Sequence, residues 1–229
     1  MIKAVIFDMY ETLITHYTTD LYFSEDMAKD AQVDYQDFYR IWKGTDADRT
    51  LGKMTFREVI RKILVENNAW NQEKFDLIIN KRTQTKEKLF EKLHPEIIPM
   101  LEGLKEKGLK IALISNCFDE EASVIRKSIL APYFDVVCLS CELGMRKPEK
   151  AIFCKCLEEL KLLPQECVYC GDGGSSELEA ASALGMNCFQ ACWYFSPRTE
   201  GILSRNDNFI QLENPIELLK KVNELSNYA

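Results

Sequence analysis

The sequence lacks the features that would place the chain in a membrane or on a nucleic acid. No apolar run approaches the roughly 18 residues of a membrane span, and the N-terminus has no cationic region leading into a cleavable apolar stretch. No block of lysine or arginine stands out, and the formal net charge is -7. A broad surface for nucleic acid or anionic lipid would need clustered basic residues. We therefore expect a soluble, cytoplasmic protein that binds neither nucleic acid nor a membrane.

Cysteine is absent from the first half of the chain, and the nine cysteines of the second half are odd in number. A disulfide framework is not expected in a reducing compartment. Two pairs, Cys138 with Cys141 and Cys167 with Cys170, have the spacing of a zinc ribbon. Residues three apart in a strand point to opposite faces, so neither pair can share a metal unless the chain turns between its members. We favour buried, apolar cysteines over a zinc site.

The 229 residues show two different patterns of apolar residues. Residues from about 17 to 108 show helical periodicity, with Thr55 as a predicted N-cap and Gly108 as a predicted C-cap. Thereafter short apolar runs alternate with helices, which predicts right-handed crossovers and a parallel sheet.

This division predicts an α/β fold with two domains. Residues 1–14 and 90–229 would form a Rossmann-like core, and residues 15–89 would form an inserted α-helical cap. Because the insertion follows the first strand, it would lie over the strand ends, where open α/β sheets bind ligands.

Polar residues end three of the predicted strands. Asp8 follows KAVIF, Ser115 and Asn116 follow KIALI, and Asp172 follows CVYCG. All strand C-termini of a parallel sheet share one edge, so these side chains converge if the strands are neighbours. Lys147 lies in the loop after the run DVVCLSCEL and would add an amine to the cluster.

Four motifs in this order resemble the haloacid-dehalogenase-like (HAD) hydrolase superfamily, helical-cap subgroup. They are FDMYETL at 7–13, ISN at 114–116, GMRKPEKAIF at 144–153 and GDGGSSEL at 171–178. The resemblance spans nearly the whole chain, and it implies a hydrolase with a Rossmann-like core and a helical cap.

The resemblance also implies roles for individual residues. Asp8 would be the nucleophile, Ser115 the phosphate or substrate holder and Lys147 the charge-balancing amine. Tyr10, Thr12 and Asn116 are further catalytic candidates from the same motifs. The metal site would comprise Asp8, the backbone carbonyl of Tyr10, Asp172 and, secondarily, Glu177.

The chemistry of these side chains supports the roles independently. A carboxylate nucleophile lets phosphoryl transfer proceed through an aspartyl-phosphate, which splits one hard hydrolysis into two steps. Converging Asp8, Asp172 and Glu177 would repel each other and an anionic substrate, while Lys147 compensates only one charge. A hard divalent cation is thus implied, and Mg²⁺ is the usual one.

The first motif departs from the pattern of the phosphatases. They generally carry a second aspartate two residues after the nucleophile as general acid and base, and here that position is Tyr10; the next, commonly glycine, is Glu11. A tyrosine there resembles the metal-independent haloacid dehalogenases. Those enzymes have uncharged polar residues in place of Asp172 and a tyrosine in place of Phe153, and a further carboxylate would oppose a haloacid's own carboxylate.

The leading prediction is therefore a Mg²⁺-dependent phosphatase acting on a small phosphorylated metabolite, slow or selective for good leaving groups. A neutral tyrosine is a poor base at pH 7, and losing a general acid or base typically costs about 10²- to 10⁴-fold in rate. The alternatives are a metal-independent 2-haloacid dehalogenase and a catalytically weakened phosphate-binding or regulatory protein. The oligomeric state is left open.

Several residues have two interpretations. Glu11 could replace the missing carboxylate, although an adjacent residue in an extended strand points to the other face. Ser176 and Glu179 have capping-box spacing, so Ser176 is an N-cap or a site residue, and Glu177 is a metal ligand or a favourable helix N-terminal acid. In the cap, five residues are candidate substrate contacts, with a solvated or core helix face as the favoured interpretation for each: Lys43, Arg49, Lys53, Tyr39 and Trp42.

Overall fold

A six-stranded parallel sheet forms the centre of the molecule in the computed structural model, which describes residues 1–227. The strand order is β3-β2-β1-β4-β5-β6, and every neighbouring pair is parallel. The α/β, Rossmann-like fold predicted from the sequence is confirmed. The strands are β1 (Ala4–Phe7), β2 (Lys110–Ser115), β3 (Val136–Leu139), β4 (Cys167–Gly171), β5 (Asn187–Ala191) and β6 (Ile210–Leu212).

Both faces of the sheet are buried, as expected of parallel strands joined by helical crossovers. Alternate residues of β1 enter different cores, with Val5 and Phe7 on one face and Ala4 and Ile6 on the other. Three helices cover the first face: α6 (Ile97–Glu106), α7 (Asp119–Lys127) and α11 (Glu217–Asn227). Two cover the second: α9 (Lys150–Leu160) and α10 (Glu177–Ala183). The short α8 (Ser140–Leu143) follows β3 directly.

The segment between β1 and α6 has a hydrophobic core of its own. Thirteen buried residues between Tyr22 and Ile78 form this cluster, separate from the two cores beside the sheet. Thr55 caps its fourth helix in a capping box with Glu58. The five helices are α1 (Ser24–Ala31), α2 (Tyr35–Gly44), α3 (Asp46–Thr50), α4 (Phe56–Glu66) and α5 (Gln72–Lys88).

The nine cysteines are free thiols. Cys138 and Cys167 are buried on one face of the sheet, whereas Cys170 is buried on the other, so the two members of the pair in β4 point apart. Within residues 1–227 no helix is both long and apolar enough to cross a bilayer.

Candidate active site

Asp8 lies immediately after the central strand β1, between the ends of β2 and β4. Its backbone N–H donates to the Cys170 carbonyl oxygen at 3.0 Å, which continues the β1–β4 ladder by one residue. The strand order reverses between β1 and β4, and such switch points open a ligand crevice at the strand C-termini. Asp8 and Asp172 stand on either side of this crevice.

A buried lysine joins two of the acids. The ammonium of Lys147 donates to the carboxylates of both Asp8 and Glu177, and the Tyr169 hydroxyl donates to Glu177 at 2.7 Å. Burial lowers the pKa of Lys147, but the two carboxylates outweigh it and hold the pKa above its ordinary value. Lys147 therefore remains charged at neutral pH.

Asn116 holds the backbone of this lysine. The Lys147 N–H donates to Asn116 Oδ1 at 2.8 Å, and Asn116 Nδ2 donates to the Lys147 carbonyl at 3.0 Å. Both polar groups of the amide are used in one reciprocal contact. Asn116 thus fixes the loop that delivers the ammonium to Asp8.

Three carboxylates share this small volume. Asp8, Asp172 and Glu177 each offer an oxygen such that all three lie within 4.8 Å of one another. Burial, followed by repulsion from Glu177, raises the pKa of Asp8 to about 7. Burial, followed by repulsion from Asp8, raises the pKa of Asp172 to about 6. One ammonium does not balance the three acids, and the site favours a further cation.

The three acids differ in how fully their oxygens are used. Glu177 is completely buried and accepts bonds from Lys147, Tyr169 and the Gly173 N–H. Asp172 accepts one bond, from the Gly174 N–H at 3.0 Å. Asp8 and Asp172 therefore have more free capacity for a metal than Glu177 has. Ser176 occupies the N-cap position of α10, but with φ +49° it makes no side-chain cap bond, so the predicted capping hydrogen bond is not formed.

The turn after Asp8 redirects Glu11. Its φ of +56° places it in the left-handed region, and its buried carboxylate accepts bonds from Thr15 and from both the backbone and Nδ1 of His16. Tyr10 stacks on the His16 ring, with centroids 4.6 Å apart. The carboxylate of Glu11 is thus held by neighbouring donors.

His16 connects the turn to helix α5. Its Nδ1 lies 2.9 Å from Glu11 and its Nε2 lies 2.7 Å from the Lys86 ammonium, so Nδ1 carries the proton and Nε2 accepts. Burial and the charge of Lys86 lower the pKa of His16, while burial and Glu121 raise that of Tyr10. Both rings are therefore uncharged at neutral pH.

A buried ion network joins α5 to α7. Arg82 donates to Glu120 and Glu121, each at 3.2 Å, and Lys86 contacts Glu121 at 2.5 Å. All four side chains are less than a tenth exposed. These ion pairs thus connect the helical segment to the sheet region. Lys86 also contacts His16, in the turn that follows the nucleophile.

Three cavities surround these residues. One of about 320 Å³ contains the acids, and its lining includes Asp8, Tyr10, Glu11, His16, Asn116, Lys147, Asp172 and Glu177. A second, of about 630 Å³, lies between the helical segment and the sheet region, lined by residues such as Trp42, Lys86 and Phe118. A third, of about 480 Å³, reaches Asn116, Cys117 and Lys147 from another side.

Several of the residues singled out in the sequence lie off the first cavity. Thr12 and Ser115 are fully buried beside it, and their hydroxyls have no hydrogen-bond partner in the described chain. Lys43 is exposed and faces Asp46 at 3.6 Å. Arg49 is completely buried, with its guanidinium 3.6 Å from the Trp42 centroid and 4.0 Å from that of Phe118. Burial lowers the pKa of Arg49 to about 10.

Three residues of this region had not been singled out from the sequence: His16, Lys86 and Tyr169. His16 is one of only two histidines in the chain and follows the first motif closely, which is a usable signal. Tyr169 lies inside β4, and the centroid of its ring is 5.6 Å from that of Phe153, so in the sequence it resembles an ordinary core residue. Lys86 is one of several charged residues of α5, and nothing in the sequence distinguishes it from the others.

Residues that follow β5 also donate hydrogen bonds to the turn after Asp8. Trp193 Nε1 donates to the Thr12 carbonyl at 2.7 Å, and the Tyr194 hydroxyl donates to the Leu13 carbonyl at 3.2 Å. Both donors follow β5. They fix the backbone of the first motif without occupying the cavity.

The sequence model of the haloacid dehalogenase-like hydrolases matches residues 2–185, so the chain belongs to this family and is a hydrolase. The glyceraldehyde 3-phosphate phosphatase of Methanopyrus kandleri is 26% identical, with 99% of each chain covered. The phosphoglycolate phosphatase of Aquifex aeolicus is 31% identical over 54% of this chain and 60% of its own length. The family resemblance found in the motifs is confirmed.

Solved structures share the fold. A 2-haloacid dehalogenase from Pseudomonas syringae pv. Tomato DC3000 is 22% identical, covers all of both chains and has a TM-score of 0.68. A HAD family enzyme from Bacteroides thetaiotaomicron, solved with magnesium and inorganic phosphate, is 19% identical with a TM-score of 0.66, over 86% of this chain and 98% of that one. A dehalogenase and an enzyme solved with magnesium and phosphate thus share this architecture.

Proposed function

We propose that the protein is a Mg²⁺-dependent phosphatase that hydrolyses a small phosphorylated metabolite through an aspartyl-phosphate on Asp8. The observation that carries this proposal is the second carboxylate, Asp172, placed beside Asp8 with too little positive charge to balance it. The phosphatase names of the two sequence relatives support the same activity.

The donor set suits a hard divalent cation. Mg²⁺ prefers oxygen ligands and is usually bound by one or two carboxylates together with water and substrate phosphate. Asp8 and Asp172 would hold it with the backbone carbonyl of Tyr10, and Glu177 would act mainly by positioning Lys147. The bound cation would lower the repulsion between the nucleophile and the phosphate.

The chain's own residues then supply two chemical steps. A carboxylate oxygen of Asp8 attacks phosphorus, an O–P bond forms, and the bond to the leaving oxygen breaks. Water next hydrolyses the acyl phosphate, which releases inorganic phosphate and regenerates the carboxylate. Lys147 balances charge on Asp8 and Asn116 positions Lys147, while the buried hydroxyls of Thr12 and Ser115 have no partner in the described chain.

Tyr10 sets the leaving-group preference in this proposal. Its phenol stays protonated because burial and Glu121 raise its pKa, so it is a weaker acid toward a leaving group than an ordinary tyrosine and cannot remove a proton from water. Substrates whose leaving groups need no protonation, such as acyl and aryl phosphates, would react best.

We further propose that residues 15–89 act as a cap on a core made of residues 1–14 and 90–229. The separate hydrophobic cluster of the helical segment supports its being a domain. The cavity between the segment and the sheet region adjoins His16 and would admit the part of the substrate remote from phosphate. A cytoplasmic location is part of the same proposal.

The test is a panel of phosphate esters and 2-haloacids, run with Mg²⁺ and with EDTA. We expect phosphate release that EDTA abolishes and that Asp8→Asn lowers by roughly 10⁴-fold or more, as for a lost nucleophile. Asp20→Asn, at an exposed acid, should leave turnover unchanged. Halide release that survives EDTA would establish the dehalogenase alternative instead, and tight phosphate binding without turnover would establish the binding protein.

A further inference from the structure

Two cysteines beside the site are in contact. The Sγ atoms of Cys117 and Cys141 lie 3.9 Å apart and belong to residues 24 positions apart in sequence. A disulfide has an S–S distance of about 2.05 Å, so the sulfurs need to approach by about 2 Å to bond. Side-chain rotation supplies movements of this size.

The side chain of Ser140 already joins its own segment to the backbone of Cys117. The Cys117 N–H donates to Ser140 Oγ at 2.9 Å, and that hydroxyl donates back to the Cys117 carbonyl at 3.1 Å. Ser140 directly precedes Cys141 in α8. The pair is therefore held in register by groups other than the sulfurs.

Small molecules can reach the pair. Cys141 is partly exposed, and Cys117 is part of the lining of the 480 Å³ cavity. The contact with the Cys141 sulfur, followed by burial, raises the pKa of Cys117. The more exposed Cys141 is consequently the thiol that an oxidant meets first.

We propose that Cys117 and Cys141 form a reversible disulfide on exposure to a peroxide, and that this bond slows turnover. The Cys141 thiolate attacks a peroxide oxygen, the O–O bond breaks, and Cys141 becomes a sulfenic acid with loss of water or alcohol. The Cys117 thiol then attacks that sulfur, the S–S bond forms, and the S–O bond breaks as the thiol proton leaves with the hydroxyl as water. The two thiols lose two electrons, which reduce the peroxide.

The bond would act on the loops of the site. Cys117 follows Asn116, which holds Lys147, and α8 leads into the loop that contains Lys147. The backbone oxygen of Cys141 also packs against Gly52 of the helical segment, where an added Cβ would lie 1.8 Å away. Tying the sulfurs together would shift these contacts, and misplacing a reacting group by about 1 Å can cost about 10²-fold in rate.

The experiment treats the reduced protein with hydrogen peroxide and maps disulfides by mass spectrometry of peptides. We expect a Cys117–Cys141 linkage, the loss of two titratable thiols, and recovery with dithiothreitol. Cys141→Ser and Cys117→Ala should each lack the linkage, whereas Cys154→Ser, at an exposed cysteine of α9, should keep it. A linkage elsewhere, or higher sulfur oxides without one, would overturn the proposal.

Two further readouts address the effect of the bond. Oxidised wild-type protein should show at least a tenfold lower kcat on an aryl phosphate, reversed by dithiothreitol and absent in Cys141→Ser; this readout rests on the proposed phosphatase function. The Tm of the oxidised protein should rise, because the bond closes a loop of the chain, and this readout needs no activity. Unchanged kcat with the linkage present, or an equal loss of kcat in Cys141→Ser, would contradict the control of the site, and an unchanged Tm with the linkage present would contradict the constraint on the loop.

Discussion

The ring of Tyr10 lies nearly parallel to that of His16, with an interplanar angle of 15°. The Lys86 ammonium lies 4.9 Å from the Tyr10 centroid and bonds to His16, so three side chains fix one another next to Asp8. Where phosphatases of the family generally carry an aspartate, this protein has an uncharged ring held in place by an uncharged imidazole. The arrangement predicts that the rate of turnover depends unusually strongly on the leaving group of the substrate.

Turnover should depend steeply on the leaving group. We expect p-nitrophenyl phosphate to react about 10²- to 10⁴-fold faster than glycerol phosphate, because no carboxylic acid protonates the departing alkoxide. Tyr10→Asp should narrow this gap, while Tyr133→Phe, far from the site, should not. Steady-state kcat with both esters is the measurement, and equal rates with chemistry rate-limiting would refute the prediction.

The response to Mg²⁺ should grow with pH. The pKa values of Asp8 and Asp172 are raised in the folded protein to about 7 and about 6, so the stability they contribute is complete below their ordinary value of 3.8 and is lost as pH rises through 6 to 7. Mg²⁺ binds the ionised forms and offsets that loss. Thermal unfolding should show a larger gain in Tm from Mg²⁺ at about pH 8 than at about pH 5.

Asp172→Asn provides the control for this pH effect. The variant should retain little of the Mg²⁺-dependent gain in Tm, since one of the two available carboxylates is gone. A gain that is equal at both pH values in the wild-type protein would show that these acids do not bind the cation.

Helix α5 offers a matched pair of lysines. Lys86→Met removes a buried partner of Glu121 and His16 and should lower the free energy of unfolding by about 3–5 kcal/mol. Lys81→Met, in the same helix, removes an exposed contact with Asp30 and should cost about 1 kcal/mol or less. Urea unfolding of both variants is the measurement, and similar losses would contradict the role of the buried network.

Gly52 should not tolerate a side chain. Its φ is +69°, and a Cβ would lie 1.8 Å from the Cys141 backbone oxygen, so we expect Gly52→Ala to cost at least about 2 kcal/mol. Gly44→Ala, at the end of α2 with nothing within 4 Å, should be neutral or stabilising by up to about 1 kcal/mol. Chemical unfolding of the two variants decides between these outcomes.

The periodicity of the chain was sufficient to predict the parallel sheet, since each strand is a short apolar run and each crossover has a helical pattern. It also placed Asp8 and Asp172 at one edge, because that follows from strand direction alone. The periodicity could not predict the direction in which individual side chains point. Glu11 turns toward His16 because of a positive φ, and Arg49 is buried between two rings, neither of which has a signal in sequence spacing.

Contacts between distant elements were likewise not predictable. The bond from Lys86 to His16 joins residues 70 positions apart, and Tyr169 reaches Glu177 only because β4 and the start of α10 fold against each other. Such contacts depend on how α5 packs against α7 and on the turn that follows β4. Neither the periodicity nor the motifs of the sequence indicate that packing.

The tie between Trp193 and Thr12 affects the order in which the site can be assembled during synthesis. The nucleophile's turn leaves the ribosome before its indole donor, which is 181 residues further along the chain. A nascent chain that has completed the helical segment and β4 still lacks both donors that fix this turn. This turn is therefore synthesised well before the donors that hold it in its final geometry.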